Sequence, residues 1–331
     1  MQVVDVEPAP EALPEELRVD GLWWRKFAML GSVYAPEWWK RSSPPVIAAI
    51  IFGLIGRNRR GAMANMRRIL GTREPIVTAP AALRMFVEFA HCMTETMEFF
   101  GPRPRPVRVD VPEPDLLAST LEKGRGAIVV TGHLGNWDVA AADLRKYGRA
   151  VTVVMAHESN PSTHEYVRRM REALDIRVVY SDDSVFSSLH LVRALRANHI
   201  VAMQLDRTSP QGRTLEIPFF GVPARFSAGP FHLARVAGAP IIPSFAPRLG
   251  VRHYEIRFGG VHEVPDRRRR SSIESIAASV VADFEAIVRE HPCQWFQFAD
   301  FWATPAAAAI TRGPSQSAPE SEPQARPAAR S

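Results

Sequence analysis

The chain has 331 residues, 46% of them hydrophobic, and its 41 Lys and Arg outnumber 35 Asp and Glu for a formal charge of +6. That length and apolar content can bury a full core in one large domain or two ordinary ones. The basic excess suits an anionic partner such as nucleic acid, acidic lipid headgroups or an acidic carrier. Two distant cysteines, Cys92 and Cys293, argue against a disulfide framework and for a reducing compartment, and no Cys/His cluster has zinc spacing.

The opening MQVVDVEPAPEALPEEL is acidic and proline-rich, without the basic and apolar regions of a signal peptide, so residues 1–18 read as a flexible arm. Residues 19–75 form a different block. Trp23, Trp24, Phe27, Trp38 and Trp39 are interleaved with Arg25, Lys26, Lys40 and Arg41; the apolar run VIAAIIFGLIG (46–56) and the basic RNRRGAMANMRR follow. The run is too short to span a bilayer. It fits a helix lying in an anionic membrane interface, with aromatic anchors and adjacent cations, or a tryptophan-rich hairpin packed on the main domain.

Residues 76–304 read as the main domain. Phe86, Phe89, Ala90, Met93, Met97 and Phe100 recur at helical spacing over 81–100, and the five-proline segment GPRPRPVRVDVPEPD reads as a linker or extended edge. Then strands and helices alternate. AIVVTG (127–132), AVTVVMA (150–156), IRVVYS (176–181), IVAMQL (200–205), APIIPSFAP and YEIRF read as strands; NWDVAAADLRKY, SNPSTHEYVRRMREAL with Ser162 as a cap, DSVFSSLHLVRALRAN and SAGPFHLARVAG read as helices. A last amphipathic helix carries Ile273, Ile276, Val280, Phe284, Ile287 and Val288 on one stripe. The order predicts an α/β fold, with a central largely parallel or mixed sheet flanked by helices and covered on both faces. From residue 313 the Pro/Ser/Ala/Arg-rich tail reads as disordered.

In such a sheet, ligands sit at the carboxyl ends of strands. His133, in TGHLGNWDVA, falls at the end of one strand and before a helix. A neutral imidazole there can take a proton from a substrate hydroxyl, provided a second group fixes its tautomer and stabilises the imidazolium. Asp138, five positions on in the first helical turn, is the expected orienting partner; Gly132 and Gly135 permit the tight turn, and Asn136 is placed to cap the helix.

The string His133-Leu-Gly-Asn-Trp-Asp138 resembles the H-x-x-x-x-D signature of the glycerolipid and lysophospholipid acyltransferases. The longer GHLGNWD, with the downstream LDRTSPQGRTLEIPFFGVPARFSAGPFHLARVAGAPIIPSFAPR, is similar to the branch of bacterial lipid A late acyltransferases and phosphatidylinositol-mannoside acyltransferases. It covers about residues 55–302 in order. The resemblance implies a glycerolipid acyltransferase-like fold with an N-terminal membrane-associated part. It also implies acyl transfer from an acyl thioester, carried by acyl carrier protein or coenzyme A, to a hydroxyl of a lipid or glycolipid. Neither a metal nor a resident cofactor is expected, nor a nucleic-acid partner, and the expected setting is the cytoplasmic face of a bacterial inner membrane.

In that reading His133 is the general base and Asp138 its partner. Arg171 matches a family arginine that would stabilise an oxyanion or hold a phosphate, although Asp175 stands where relatives have glycine. Glu158, Asp206 and Arg207 follow strand ends and, with Glu216 and Asn136, are supporting candidates. Phe219, Phe220 and Gly221 would shape the acyl groove or core, and Arg267 to Arg270 read as a solvated basic run. The ending QWFQFADFW (294–302) departs from the lipid A enzymes, which carry a tryptophan, a histidine and basic residues there. That points away from lipid A as acceptor and towards relatives that acylate other lipids or secondary metabolites. The same His–Asp pair could also activate water, making a thioester or ester hydrolase the rival, although no G-x-S-x-G elbow is present; a nucleic-acid-binding role has only the charge behind it.

Overall fold

The run AIVV at 127–130 is too apolar for a strand with one wet face, and in a computed structural model of the chain all four residues are buried. The structure describes residues 31–101, 103–155, 176–180, 185–208, 212–264 and 273–303. The arm 1–18, Trp23, Trp24, Phe27, the helix expected over 159–174 with Glu158 before it and Arg171 within it, Arg267 to Arg270 and the tail from 313 lie outside the described residues.

Among the described residues, after a helical stretch at 31–34, come α1 (Glu37–Leu54), α2 (Gly56–Ile69) and α3 (Pro75–Phe99). They are followed by β1 (Arg108–Asp110), α4 (Pro114–Glu122), β2 (Ala127–Thr131), α5 (Trp137–Asp143), β3 (Val151–Met155) and β4 (Ile176–Tyr180). The chain goes on through α6 (Val185–Arg196), β5 (Ile200–Gln204), β6 (Thr214–Phe219), β7 (Val222–Ser227), α7 (Gly229–Ala237) and β8 (Ile241–Phe245). Last are β9 (Arg248–Gly250), β10 (His253–Glu255), β11 (Arg257–Phe258) and α8 (Ile273–Glu290).

The main sheet has the order β11-β8-β2-β5-β3-β4, and every pairing is parallel except that of β11 with β8. The α/β expectation with a largely parallel, mixed sheet therefore holds. Because side chains alternate across a strand, Ile128, Val130, Val201 and Ile241 face one core with Val280, Phe284 and Val288 of α8. Ala127, Val129, Ile200 and Ile242 face a second, with Leu117 and Leu121 of α4 and Leu144. With both faces covered, this sheet is open to chemistry at its strand ends.

Two expectations change. YEIRF is not one strand: Tyr254 belongs to β10, in a small sheet ordered β1-β10-β9, whereas Arg257 and Phe258 cross to pair with β8. The break falls at buried Ile256, whose N–H is taken by Asp110 O. The proline-rich linker supplies β1 and the start of α4, since Pro114 stands in the first turn, where a missing N–H costs nothing. The FFG element is the turn of the β6–β7 hairpin. Phe220 and Gly221 both have positive φ, 51° and 73°, as a two-residue type I′ turn requires.

The block 31–75 is half core and half surface. Ala62, Met66 and Ile69 of α2 join the same core as Ile128, and Arg59 closes the end of α1 by donating to the carbonyls of Phe52 and Gly53. On α1, Ala48 is buried, but Trp38 is 67% and Leu54 79% exposed, with Trp39, Val46, Ile47 and Ile50 also open. Among the described helices α3 has the length and hydropathy to cross a membrane. Its Glu88 and Glu95 are ion-paired to Arg248 and its Glu98 to Arg252, which marks it as a packed helix of this fold.

Candidate active site

β2 and β5 are parallel neighbours in register, Thr131 opposite Gln204, so the loops leaving their carboxyl ends meet. His133 is two residues past one end and Asp206 two past the other. Leu205 N–H donates to Thr131 O at 2.8 Å and fixes the distance between the loops. Both side chains are buried, His133 at 4% exposure. His133 Nδ1 lies 2.8 Å from Asp206 Oδ1, and the His133 main-chain N–H donates to Asp206 Oδ2 at 2.8 Å.

This corrects the expected partner. Asp206, 73 residues away, takes the orienting place expected of Asp138. The reason is direction: Nδ1 and the main-chain N–H of His133 both point along the sheet towards the neighbouring strand, whereas Asp138 stands half-buried in the first turn of α5.

Asp206 is held by further donors that the sequence did not disclose. Trp295 Nε1 donates to Oδ2 at 2.8 Å, and Gln297 Nε2 reaches Oδ2 at 3.3 Å and Asp206 O at 3.2 Å. Burial alone would push the carboxyl's pKa up. The charge of His133, together with hydrogen bonds from its ring, its N–H and Trp295, outweighs burial and holds the carboxyl well below the usual carboxylate range. The aspartate is thus an ionised acceptor, as an orienting and imidazolium-stabilising group must be.

The loop around His133 is built to fixed dimensions. A Cβ at Gly132 would sit 2.4 Å from the Phe284 ring, and one at Gly135, whose φ is +62°, would sit 1.9 Å from Ala246 O. The close approach explains the two glycines. Gly135 N–H donates to Gln294 O and Asn136 N–H to Ala246 O. The Asn136 side chain caps α5 through Val139 N–H, as expected, and also donates to Thr96 Oγ1 (2.9 Å) and Tyr254 Oη (3.2 Å). Tyr254 in turn donates to Glu95 at 2.6 Å, and Glu95 accepts from Arg248. Burial first, with the neighbouring Glu95 carboxylate, pushes the Tyr254 hydroxyl up, so it stays a donor. Trp137 sets its ring 5.0 Å from that of His133, edge to face.

The other candidates separate. Arg207 is exposed immediately after Asp206. Glu216 is on the wet face of β6, opposite Arg225, because Leu215, Ile217 and Phe219 take the inner face. Phe219 is core: its ring stacks on Phe284 and Trp302 and meets Trp295 edge on. Glu158 and Arg171 lie outside the described residues. Cys92 and Cys293 are both free thiols, and among the described residues no group of His, Cys, Asp and Glu could hold a metal ion.

Residues 15–304 match the family model described as bacterial lipid A biosynthesis acyltransferase. The chain is also 27% identical over 190 residues to a phosphatidylinositol mannoside acyltransferase of Mycobacterium tuberculosis (strain CDC 1551 / Oshkosh), covering 57% of this chain and 58% of that one. It is 27% identical over 198 residues to a phosphatidylinositol mannoside acyltransferase of Mycolicibacterium smegmatis, covering 59% and 62%. The chain thus spans about three fifths of the length of these curated relatives.

Proposed function

We propose, for a chain that belongs to the bacterial lipid A biosynthesis acyltransferase family, that it transfers a fatty acyl group from an acyl thioester to a hydroxyl of a lipid or glycolipid, with His133 as general base. The observation that carries this reading is the buried His133–Asp206 pair at the ends of β2 and β5. With Nδ1 committed to Asp206, Nε2 is the nitrogen that meets the acceptor. It takes the hydroxyl proton as the oxygen attacks the thioester carbonyl. The tetrahedral intermediate then expels the thiolate, which recovers the proton from the imidazolium, while Asp206 stays ionised throughout.

Acyl carrier protein or coenzyme A would carry the acyl chain. The names of the mycobacterial relatives favour a mannosylated phosphoinositide or similar glycolipid as acceptor over lipid A, in line with the ending QWFQFADFW. Arg171 and Glu158 are assigned by resemblance to the oxyanion or a phosphate and to support; with Asp206 on the base, Asp138 takes a subsidiary place beside Trp137. Seating on the cytoplasmic face of an inner membrane is supported by the exposed face of α1 (Trp38, Ile47, Ile50, Leu54) and by Arg57, Arg60 and Arg67, which are exposed on α2.

Purified protein given a labelled acyl thioester, with and without a glycolipid acceptor, tests the reading. Label should move to the acceptor. Equal release of free fatty acid in both reactions would replace transfer with hydrolysis.

A further inference from the structure

Residues 295–301 cross the site as neither helix nor regular strand, and the hydrogen bonds of this strap go to two places. One is the reacting pair. Trp295 and Gln297 donate to Asp206, and Phe296 N–H donates to His133 O at 2.7 Å. The other is α2, whose Arg68 donates to Asp300 Oδ1 at 3.2 Å and whose Asn65 is fully buried. Asn65 Nδ2 donates to Gln297 O and Ala299 O, both at 2.8 Å, and its Oδ1 accepts from Phe301 N–H at 3.0 Å. One amide side chain thus satisfies three main-chain groups that no ladder serves. Beside it, a Cβ at Gly61 would stand 2.3 Å from Phe298 O, so α2 and the strap touch backbone to backbone. Trp295 is locked by rings on several sides, among them Phe219, Phe284, Phe301 and Trp302 at 5.0–5.9 Å.

We propose that Trp295, Gln297 and Asn65 are positioning residues for acyl transfer: the strap, latched by α2, aims the Asp206 carboxylate at His133. The proposal rests on the reading of His133 as base. Oδ1 must face Nδ1 for the imidazole to present Nε2 to the acceptor, and rotation of the carboxylate would lose that tautomer. Three N–H groups on Oδ2 prevent the rotation and keep the buried carboxylate ionised. In this account the ending that departs from the lipid A enzymes is part of the machinery. The helix with the densest run of arginines also reaches the chemistry through Asn65, in addition to any role at a membrane.

The test uses Trp295→Phe, which keeps the ring and removes the donor, Gln297→Met and Asn65→Ala. For each full-length protein, kcat, KM for the acyl thioester and the pH profile of kcat/KM are measured. We expect kcat to fall about tenfold in the first two, as for a lost hydrogen bond to a charged group, and severalfold in the third, with KM little changed. The pH profile should change in Trp295→Phe and Gln297→Met, because the carboxylate that faces the base has lost a donor. Folded variants with the wild-type profile and kcat, or with the whole loss in KM, would overturn the proposal. Gln297 is only half-buried, so Gln297→Met carries the test if Trp295→Phe does not fold. An active His133→Ala would defeat the underlying reading; an inactive His133→Ala beside unaffected strap variants would defeat only this proposal.

Discussion

Two buried charge clusters flank Asn136, and they are finished differently. In the first, Glu98 accepts from Arg252 and lies 2.9 Å from Lys40, Glu37 accepts from Arg252, and Glu95 accepts from Arg248 and Tyr254. Burial would raise the pKa of Glu98, but Arg252 and Lys40 hold it down. Every charge there meets its opposite, and the cluster binds α1 and α3 to the β9–β10 turn. In the second, four N–H groups converge on Asp206, but His133 spends only one ring nitrogen on it. The first cluster pairs its charges among themselves, whereas in the second no hydrogen bond from a described residue reaches the other ring nitrogen of His133, which leaves it available at a strand end to move a proton. The difference teaches that burial and charge alone do not mark a site; a basic nitrogen left available at a strand end is the further mark.

That contrast can be broken from either side. Glu98→Ala leaves Lys40 and Arg252 without their buried partner and should cost about 3 kcal/mol in urea unfolding, while folded protein at 25 °C keeps its turnover. A large loss of turnover with little loss of stability would erase the distinction. Asp206→Asn should cost turnover as well as stability, lowering kcat about 100-fold, with Asp138→Asn well under tenfold; equal losses of turnover would restore Asp138 as partner. Asp206 also gives a pH signature. Its pKa is depressed in the folded state, so its stabilisation is fully present above the ordinary aspartate value of about 3.9 and is lost as pH falls through that value towards the folded one. The stability gap between wild type and Asp206→Asn should therefore shrink below about pH 4, as read by urea titrations across the acid range. The smallest expected effect concerns the surface. Trp38→Ala with Leu54→Ala should weaken binding to anionic vesicles about tenfold without altering unfolding, and unchanged flotation would remove α1 from the membrane account.

Much of this was legible in the sequence for physical reasons. Continuous apolar runs such as AIVV announce doubly covered strands, and the glycine-framed His133 follows one of them. Asp206 was visible as a strand-end carboxylate, but its contact with His133 depends on β2 lying beside β5, an adjacency across 73 residues that local pattern does not encode. The five-residue spacing made Asp138 the nearer choice on paper, and side-chain direction decided against it. Glu216 faces water because of the β6 register. Trp295 and Gln297 were hardest to see, because the strap they sit on has no periodicity. Its density of aromatic and amide residues was the only signal, and it read as a departure from relatives before it could be seen as the holder of the carboxylate.

The central claim is that His133 is the base that activates the acceptor hydroxyl. It is tested most directly by single-turnover transfer of a labelled acyl group to glycolipid by wild-type protein and by His133→Ala. The variant should fold, bind both substrates and transfer label at least 1,000-fold more slowly, on the order expected for removal of a general base. Transfer by folded His133→Ala at the wild-type rate would contradict the account.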